Sequence, residues 1–585
     1  MSHRFLSIRT ALASSTVFTA AAIGLAAPAA AQDMEADETA SSGQLGSIIV
    51  TANRREENLQ DVAISADVLG QERIDTIFAS GVDTTGLAGT VPGLNVESSN
   101  GRVAPRFYIR GLGNTDFDLA ASQPVSVIMD DIVLENVTLK SFPIFDVERI
   151  EVLRGPQGTL FGRNTPTGIV KINTIKPSTT ETSVNVGLSA GTYGTITAQA
   201  ALGVPVVEDK LGLRVSTNFQ RRGDWIDNDF TGAENSLGGY TDFAIRGQML
   251  LTPDEDDRFS MLASVQFRDL DGSSTFFHAN AITAGDNELR AGFDRETVFY
   301  DAGGGNKADY QQFGASLKMD YDFGGATLTS ISGYYSSEGS SRGDVDGGNL
   351  VTGPGFIPFP SDTQDSIDLE QFTQEIRLAS NGDGPLSWQI GGYYFESDFD
   401  VTTIGFTFPP PVTVNHTNDA WALFGQLTYQ LTDMLRVTGG LRYTDDEKDF
   451  IVLSGSAPQP TNVQDDNIDW DISLFADVSD GTSVYGRVAN AFRAPTIQGR
   501  DVAFFQPPSV AQSEDITSYE VGFKSEFADR TVRINGAAFY YTVDDPQFTA
   551  VGGGGNFVQL INANKGDAWG FELDTAFQIT PEFQV

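Results

Sequence analysis

The chain of 585 residues contains no cysteine. That absence excludes a disulfide framework, cysteine-ligated zinc, iron–sulfur ligation and a thiol nucleophile. Histidine is nearly as scarce: His3, His278 and His416 are the whole complement, which leaves little for imidazole-based metal or acid–base chemistry. Positive charge is short as well, with 37 Lys and Arg against 78 Asp and Glu and a formal net charge of −41. Such a balance repels phosphate backbones and argues against nucleic acid as a partner. Beyond the N-terminal segment no run approaches the roughly eighteen apolar residues of a spanning helix. What the chain has in plenty is 61 Gly, 40 Phe and 16 Tyr, a composition of turns and aromatic strands rather than of helices.

Residues 1–31 read as a secretory signal peptide. Arg4 and Arg9 precede the small-residue apolar run Ala11–Ala27, and Ala29-Ala30-Ala31 fits a cleavage site before Gln32. A membrane-anchor helix fits less well, because the run is short and broken by Ser14, Ser15 and Pro28. Export without cysteine fits a Gram-negative periplasm or outer membrane. Residues 32–47 are acidic and rich in Gly and Ser, a flexible leader. From Ile48 to about Pro177 short strand-like pieces mix with a helix-like piece at Gln71–Ala79, which reads as an α/β domain of about 130 residues.

From Glu181 the texture changes to segments that alternate apolar and polar, the signature of strands. Val184, Val186, Leu188 and Ala190 share one face, while Glu520, Lys524 and Arg533 oppose Tyr519, Val521, Phe523, Val532 and Ile534. One greasy and one polar face suits either a soluble sandwich or a membrane barrel. The connections favour the barrel. Short ones (203–210, 252–257, 323–325, 381–385, 432–434, 479–482, 528–530) alternate without a break with long polar ones (223–239, 271–306, 337–363, 401–415, 445–467, 495–513, 544–566). An outer-membrane barrel sorts its loops in this way, with tight periplasmic turns and long outer loops. About sixteen strands are expected, with Glu520, Lys524 and Arg533 facing the lumen, since a cation on the lipid face costs roughly 2–4 kcal/mol.

Three pieces of the first domain carry a family resemblance. They are Ile48-Ile49-Val50-Thr51-Ala52 ahead of Asn53-Arg54-Arg55, then Arg106-Phe107-Tyr108-Ile109-Arg110-Gly111, and then the long run from Val147 to Asn164 (VERIEVLRGPQGTLFGRN). In this order, behind a signal peptide and ahead of a barrel, they resemble the TonB box and plug motifs of TonB-dependent outer-membrane receptors. The chain departs from the family pattern at Thr167 and Asp131, each standing where the family usually has Gly, a residue that serves positive φ or close approach. The resemblance implies a transmembrane antiparallel β-barrel with an N-terminal α/β plug inside it. It divides the chain into signal peptide 1–31, leader 32–47, TonB box 48–55, plug 56–177 and barrel 178–585. Family barrels have about 22 strands and end on an aromatic residue. This chain ends on Val585, so the barrel is expected to be incomplete at its C-terminus. An unclosed wall leaves unpaired N–H and C=O groups facing lipid at several kcal/mol each.

The resemblance also implies roles. Ile48, Ile49, Val50, Thr51 and Ala52 would bind the periplasmic TonB protein, an extended stretch suited to adding a strand to a sheet edge. The same five residues also read as the first strand of the plug. Arg110, Glu151 and Arg154 would be charges that pair with the barrel wall and latch the plug; pairing within the plug is the alternative. Asn114, Asp116 and Phe117 fall at the expected plug apex and would contact ligand. The leader is too short for the extra domain of the family's transcription-regulating members.

No catalytic pattern such as Gly-x-Ser-x-Gly, His-Glu-x-x-His or a phosphate loop is present, and neither an enzyme nor a resident cofactor or metal is expected. The segment Gly343–Gly348 could hold Ca²⁺ through oxygen ligands, although a solvated acidic loop is the plainer reading. The function that follows is TonB-dependent import of a scarce ligand, such as a ferric siderophore or similar chelate, across the outer membrane. The rivals are a passive diffusion porin or surface-binding outer-membrane protein and, further off, a secreted β-rich glycan hydrolase.

Overall fold

The structure, a computed structural model, describes residues 44–585 apart from 115, 255, 257, 284, 302–305, 359–361, 383, 406–409, 458 and 553–556. The expected signal peptide and most of the leader lie outside the described residues. Among the described residues no helix is long and apolar enough to cross a membrane.

The N-terminal domain is built on a mixed sheet. Its strands are β3 (Ala66–Gly70), β6 (Val125–Met129), β7 (Ile132–Leu134), β8 (Val147–Arg154) and β9 (Gly168–Thr174), ordered β3-β8-β9-β6-β7. β6 and β9 are parallel and the other pairs antiparallel. Every residue of β6 and β9 is buried; β6 accordingly carries a nearly continuous apolar run instead of alternation, and β9 places Lys171 and Asn173 among buried polar partners. Helix α1 (Gln71–Phe78) turns Ile74 and Phe78, four residues apart, into the core and leaves its other face exposed. Two small ribbons complete the domain: β1 (Ile49–Val50) with β2 (Glu57–Asn58), and β4 (Leu94–Ser98) with β5 (Pro105–Ile109).

Around it runs a sheet of 17 strands, each antiparallel to the next in sequence within that sheet. Sixteen of them correspond to those expected, and the last is the two-residue Phe583–Gln584. Among the described residues the first strand, Ser183–Ala190, and the last are not paired with each other, so the sheet is open.

The wall changes polarity along its height. On Val412–Thr432 the outward side chains of Trp421, Leu423, Leu427 and Tyr429 are exposed and apolar, while Gln426 opposite them is buried. On the neighbouring strands Leu441, Ile468, Ile472 and Leu474 continue the oily outer face, and Arg442, Asp469, Asp471 and Ser473 face inward. Above Trp421 the pattern reverses. Outward positions become polar (Asn415, Thr417, Asp419), and inward ones become apolar and buried, as at Val412, Val414, Phe450 and Val452. Trp421 and Tyr429 are eight positions apart, which is roughly 27 Å along a strand and about 20 Å once tilted, close to the apolar band of an outer-membrane barrel.

This reversal explains where the expected loops come out too long. The short turns fall as read, at 323–325 and 381–385 between named strands. The expected loops 401–415 and 445–467 do not: the strands run on to Gly405 and Ser454 and resume at Val412 and Thr461. A strand above the membrane has a polar outer face, so its sequence looks like a loop while its backbone keeps pairing.

Candidate functional site

The five residues 48–52 sit at the short-turn end of the barrel, folded onto the plug. Ile49 pairs with Asn58 and Val50 with Glu57, and Leu59 N–H donates to the Ile48 carbonyl at 2.7 Å. Val50 and Ala52 are buried among Leu59, Val62, Leu153 and Phe161, whereas Ile49 is 39% exposed. Thr51 is held by side chains. Its N–H donates to Glu151 Oε2 at 2.7 Å, its hydroxyl donates to Glu151 Oε1 at 3.0 Å, and Lys171 Nζ donates to Thr51 Oγ1 at 2.7 Å. Just upstream, Leu45 N–H donates to Arg530 O in the tight turn after the strand Glu514–Phe527.

Arg110 and Arg154 reach the wall. Arg110 donates to Glu520 at 2.8 Å and to both oxygens of Glu572 at 2.9 and 2.8 Å, and stacks 3.9 Å from the Phe539 ring centroid. Its φ of 52° is left-handed. Arg154 pairs with Asp574 at 2.9 Å, with Glu572 at 3.4 Å and with the plug's own Asp67 at 2.9 Å. Burial pushes the Asp67 carboxyl up to about 6, with Asp574 and Glu572 adding to the rise against Arg154.

Glu151 corrects the expectation of a three-residue latch. Its partners are Thr51, Arg149 and Asn173, all within the plug. The reason is strand geometry: side chains alternate, so residues three apart on β8 point to opposite faces. Glu151 and Leu153 face the Ile48–Ala52 segment, while Arg154 faces the wall.

A further hub was not anticipated. Asp131, at φ 71° in the β6–β7 turn, touches Lys171 at 2.8 Å, Lys318 of the barrel at 2.9 Å and Arg54 at 3.7 Å. Burial opposes its charge, yet the Lys171, Lys318 and Arg54 cations hold its carboxyl well below the usual range. Arg54 also reaches Glu375 of the wall at 3.2 Å. The only sequence signal for this hub was the Asp in a glycine's place.

The three residues of the expected apex differ in exposure. Asn114 and Asp116 are turned inward. Asn114 Oδ1 accepts from Asp116 N–H at 2.9 Å and its Nδ2 donates to Ser122 O at 3.0 Å, while Asp116 accepts from Thr549 Oγ1 at 2.7 Å. Successive Asp and Asn side chains here cap their own backbone two residues on, the usual habit of such turns. Phe117 is the member of the trio that is exposed. Asp118, passed over in sequence, accepts from Gly499 N–H at 2.7 Å and Arg500 N–H at 3.0 Å, fastening an outer loop to the plug. Beside it a cavity of about 60 Å³ is lined by Glu135, Phe395, Phe399, His416 and Lys448.

A cavity of about 1010 Å³ opens on the outer side. Arg102, Arg222 and Arg295 contribute cations to it, and Trp225, Tyr240, Phe276 and Phe293 contribute ring surface. Arg102 lies 4.0 Å over Tyr240 and donates to Gln220 at 2.7 Å and to Gly81 O at 3.0 Å. Burial lowers the His278 pKa, helped by Arg290 and Arg295.

A membrane-embedded strand wall filled by an ion-paired plug, with a docked strand at one mouth and a cavity at the other, defines a plugged outer-membrane receptor. Comparison with known families agrees. Residues 254–584 match the TonB dependent receptor-like beta-barrel and residues 58–169 the TonB-dependent receptor plug domain, so the chain belongs to the TonB-dependent receptors of the outer membrane. It is similar to the pesticin receptor of Yersinia pestis, at 25% identity over 95% of this chain and 78% of that receptor. It is also similar to the vitamin B12 transporter BtuB of Vibrio vulnificus, at 23% identity over 88% and 72% of the two chains. Among solved structures, the ferric yersiniabactin uptake receptor FyuA from Yersinia pestis superposes with a TM-score of 0.74 at 21% identity, covering 89% of this chain and 77% of that one. Family and fold are those of transport receptors, not enzymes.

Proposed function

We propose that this receptor imports a scarce metal chelate, a ferric siderophore or a similar complex, by a TonB-driven cycle. The observation that carries the reading is the way residues 48–52 are held. Ile49 and Val50 form a two-residue strand, and Thr51 directly after it is pinned to a plug that fills the wall. A filled barrel passes nothing of chelate size until the plug shifts, and a short, weakly paired strand at the periplasmic mouth offers TonB a place to add a strand and pull. In this reading Arg110 and Arg154 are the latch that resists the pull until it is applied, and Glu151 holds the strand in reserve. Ligand enters through the outer cavity, where three arginines and several rings suit an anionic chelate with aromatic groups. The chain's overall negative charge does not oppose this, because local charge sets the field a ligand meets. The ferric yersiniabactin uptake of the similar receptor FyuA favours an iron chelate; the vitamin B12 transporter keeps cobalamins in view.

The test is Ile49→Pro, which removes a strand donor. Cells should bind ligand normally yet fail to accumulate it, as wild-type cells do when the proton gradient is collapsed. Undiminished accumulation in the variant overturns the TonB assignment, and uptake indifferent to the gradient in wild-type cells supports a passive pore instead. Growth rescue across a panel of iron chelates, cobalamins and oligosaccharides identifies the ligand.

A further inference from the structure

Two outer loops meet at three carboxylates. Asp301 lies in the loop before the strand Lys307–Asp322, Asp344 directly follows the strand Ala326–Gly343, and Asp362 directly precedes Thr363–Ser380. One oxygen from each lies within 4.8 Å of the other two. Two ligands on opposite sides of one calcium ion stand about 5 Å apart, twice a Ca–O distance of roughly 2.4 Å, so this spacing fits a shared ion.

The backbone orients the acids. Leu350 N–H donates to Asp301 Oδ2 at 2.8 Å, Gly348 N–H to Asp344 Oδ1 at 3.1 Å, and Val345 N–H to the Asp362 carboxylate. Asp344 is 0% exposed and Asp362 9% exposed. Asp362 Oδ1 is buried without a hydrogen-bond partner. A buried, unpartnered carboxylate oxygen is costly unless a cation meets it. The charged groups that face Asp362 are Asp301, Asp346 and a lone cation, Arg342, so acids outnumber bases.

We propose that Asp301, Asp344 and Asp362 form a divalent-cation site of the calcium type, which joins the 274–306 loop to the 344–362 loop. The donors are all hard oxygens, with no imidazole or thiolate, which selects calcium or magnesium over zinc or copper. Loop-borne carboxylates of unequal reach suit the larger, less demanding ion. The site has a consequence for the outer cavity. Ser274, Phe276, His278 and Phe293 of the first loop line it, and Tyr300, next to Asp301, stacks on Phe276 with planes 9° apart. The ion therefore sets the position of one cavity wall. The proposal does not depend on the import reading.

The experiment uses the full chain, purified in detergent, stripped with chelator and titrated with CaCl₂ in a calorimeter. Wild type should bind with a Kd of about 10⁻⁵ to 10⁻³ M, the range from sensor sites to extracellular modules. Asp362→Asn should weaken binding by at least about tenfold. Calcium should slow proteolysis within 274–306 in wild type and not in the variant. If Asp362→Asn fails to fold, Asp301→Asn, at a less buried position, carries the same expectation. Absence of calcium-dependent heat, or equal binding and protection in wild type and both variants, overturns the site. Equal competition by magnesium overturns the choice of calcium.

Discussion

Arg154 and Thr51 both fasten the plug, by different physics. Arg154 is a permanent cation, 1% exposed, set among Asp67, Glu572 and Asp574 from the plug and the wall. Thr51 is a neutral residue directly after the two-residue strand Ile49–Val50, held by hydrogen bonds to one carboxylate and one ammonium. Buried charge pairs are expensive to open one partner at a time, at about 3–5 kcal/mol, whereas each hydrogen bond from an uncharged residue to a charged partner contributes roughly 1.5–3 kcal/mol. The first kind of fastening keeps the barrel filled through thermal fluctuation. The second releases under modest force. A receptor that must stay shut yet answer a pull needs both, arranged so that the weak one faces the side from which the pull comes.

The comparison can be broken at its strong end. Arg154→Ala strands Asp67 and Asp574, while Glu572 keeps Arg110, and urea unfolding of the purified receptor should show a loss of about 3–5 kcal/mol. A loss under 1 kcal/mol would mean that the wall contacts are ornamental. Asp131→Gly restores the residue that its left-handed backbone favours but orphans Lys171 and Lys318. The lost pairs should outweigh the relief of strain, for a net loss of about 2 kcal/mol, and a gain in stability would reverse the assignment of Asp131 as a hub. At the weak end, Thr51→Val deletes the hydroxyl contacts and keeps the shape. Global unfolding should barely move, while amide exchange at residues 49–51 speeds up about tenfold or more, in line with roughly 1.5–3 kcal/mol for hydrogen bonds to charged partners. The smallest effect is a pH slope. The folded-state pKa of Asp67 is raised to about 6, so the folded form holds the extra proton between the ordinary carboxyl value and 6. Its contribution favours folding at the acid end and is lost as pH rises through 6. Asp67→Asn should flatten the stability profile between about pH 4 and 6, read as the slope of melting temperature against pH.

Much of this was legible before any coordinates. Period-two alternation gave the wall, and the sorting of turns by length gave its orientation. The lumen assignment of Glu520, Lys524 and Arg533 matches their burial and their plug contacts: Glu520 with Arg110, Lys524 with Leu59 O, and Arg533 with Gly46 O. What sequence could not supply was which charges meet. Glu151 and Arg154 sit in one motif, yet alternation along β8 sends them to opposite tasks. Asn114 and Asp116 look like ligand-binding polar groups, but their side chains are taken up by nearby backbone and, for Asp116, by Thr549. The partners Glu572, Asp574 and Glu375 lie hundreds of positions from the arginines they neutralise, and no local pattern marks a contact of that range. Loop lengths failed where strands leave the lipid, because the polarity rule that identifies a membrane strand reverses there.

The reversal itself has a mechanical meaning. From Trp421 up to Val412 the backbone keeps its cross-strand ladder for about nine residues, some 30 Å along the chain. The entrance above the bilayer is therefore a stiff palisade, ribbed by hydrogen bonds and braced from inside by Phe450, Val452 and Ile497. That part of the wall holds its shape through its own ladder rather than through anything bound to it.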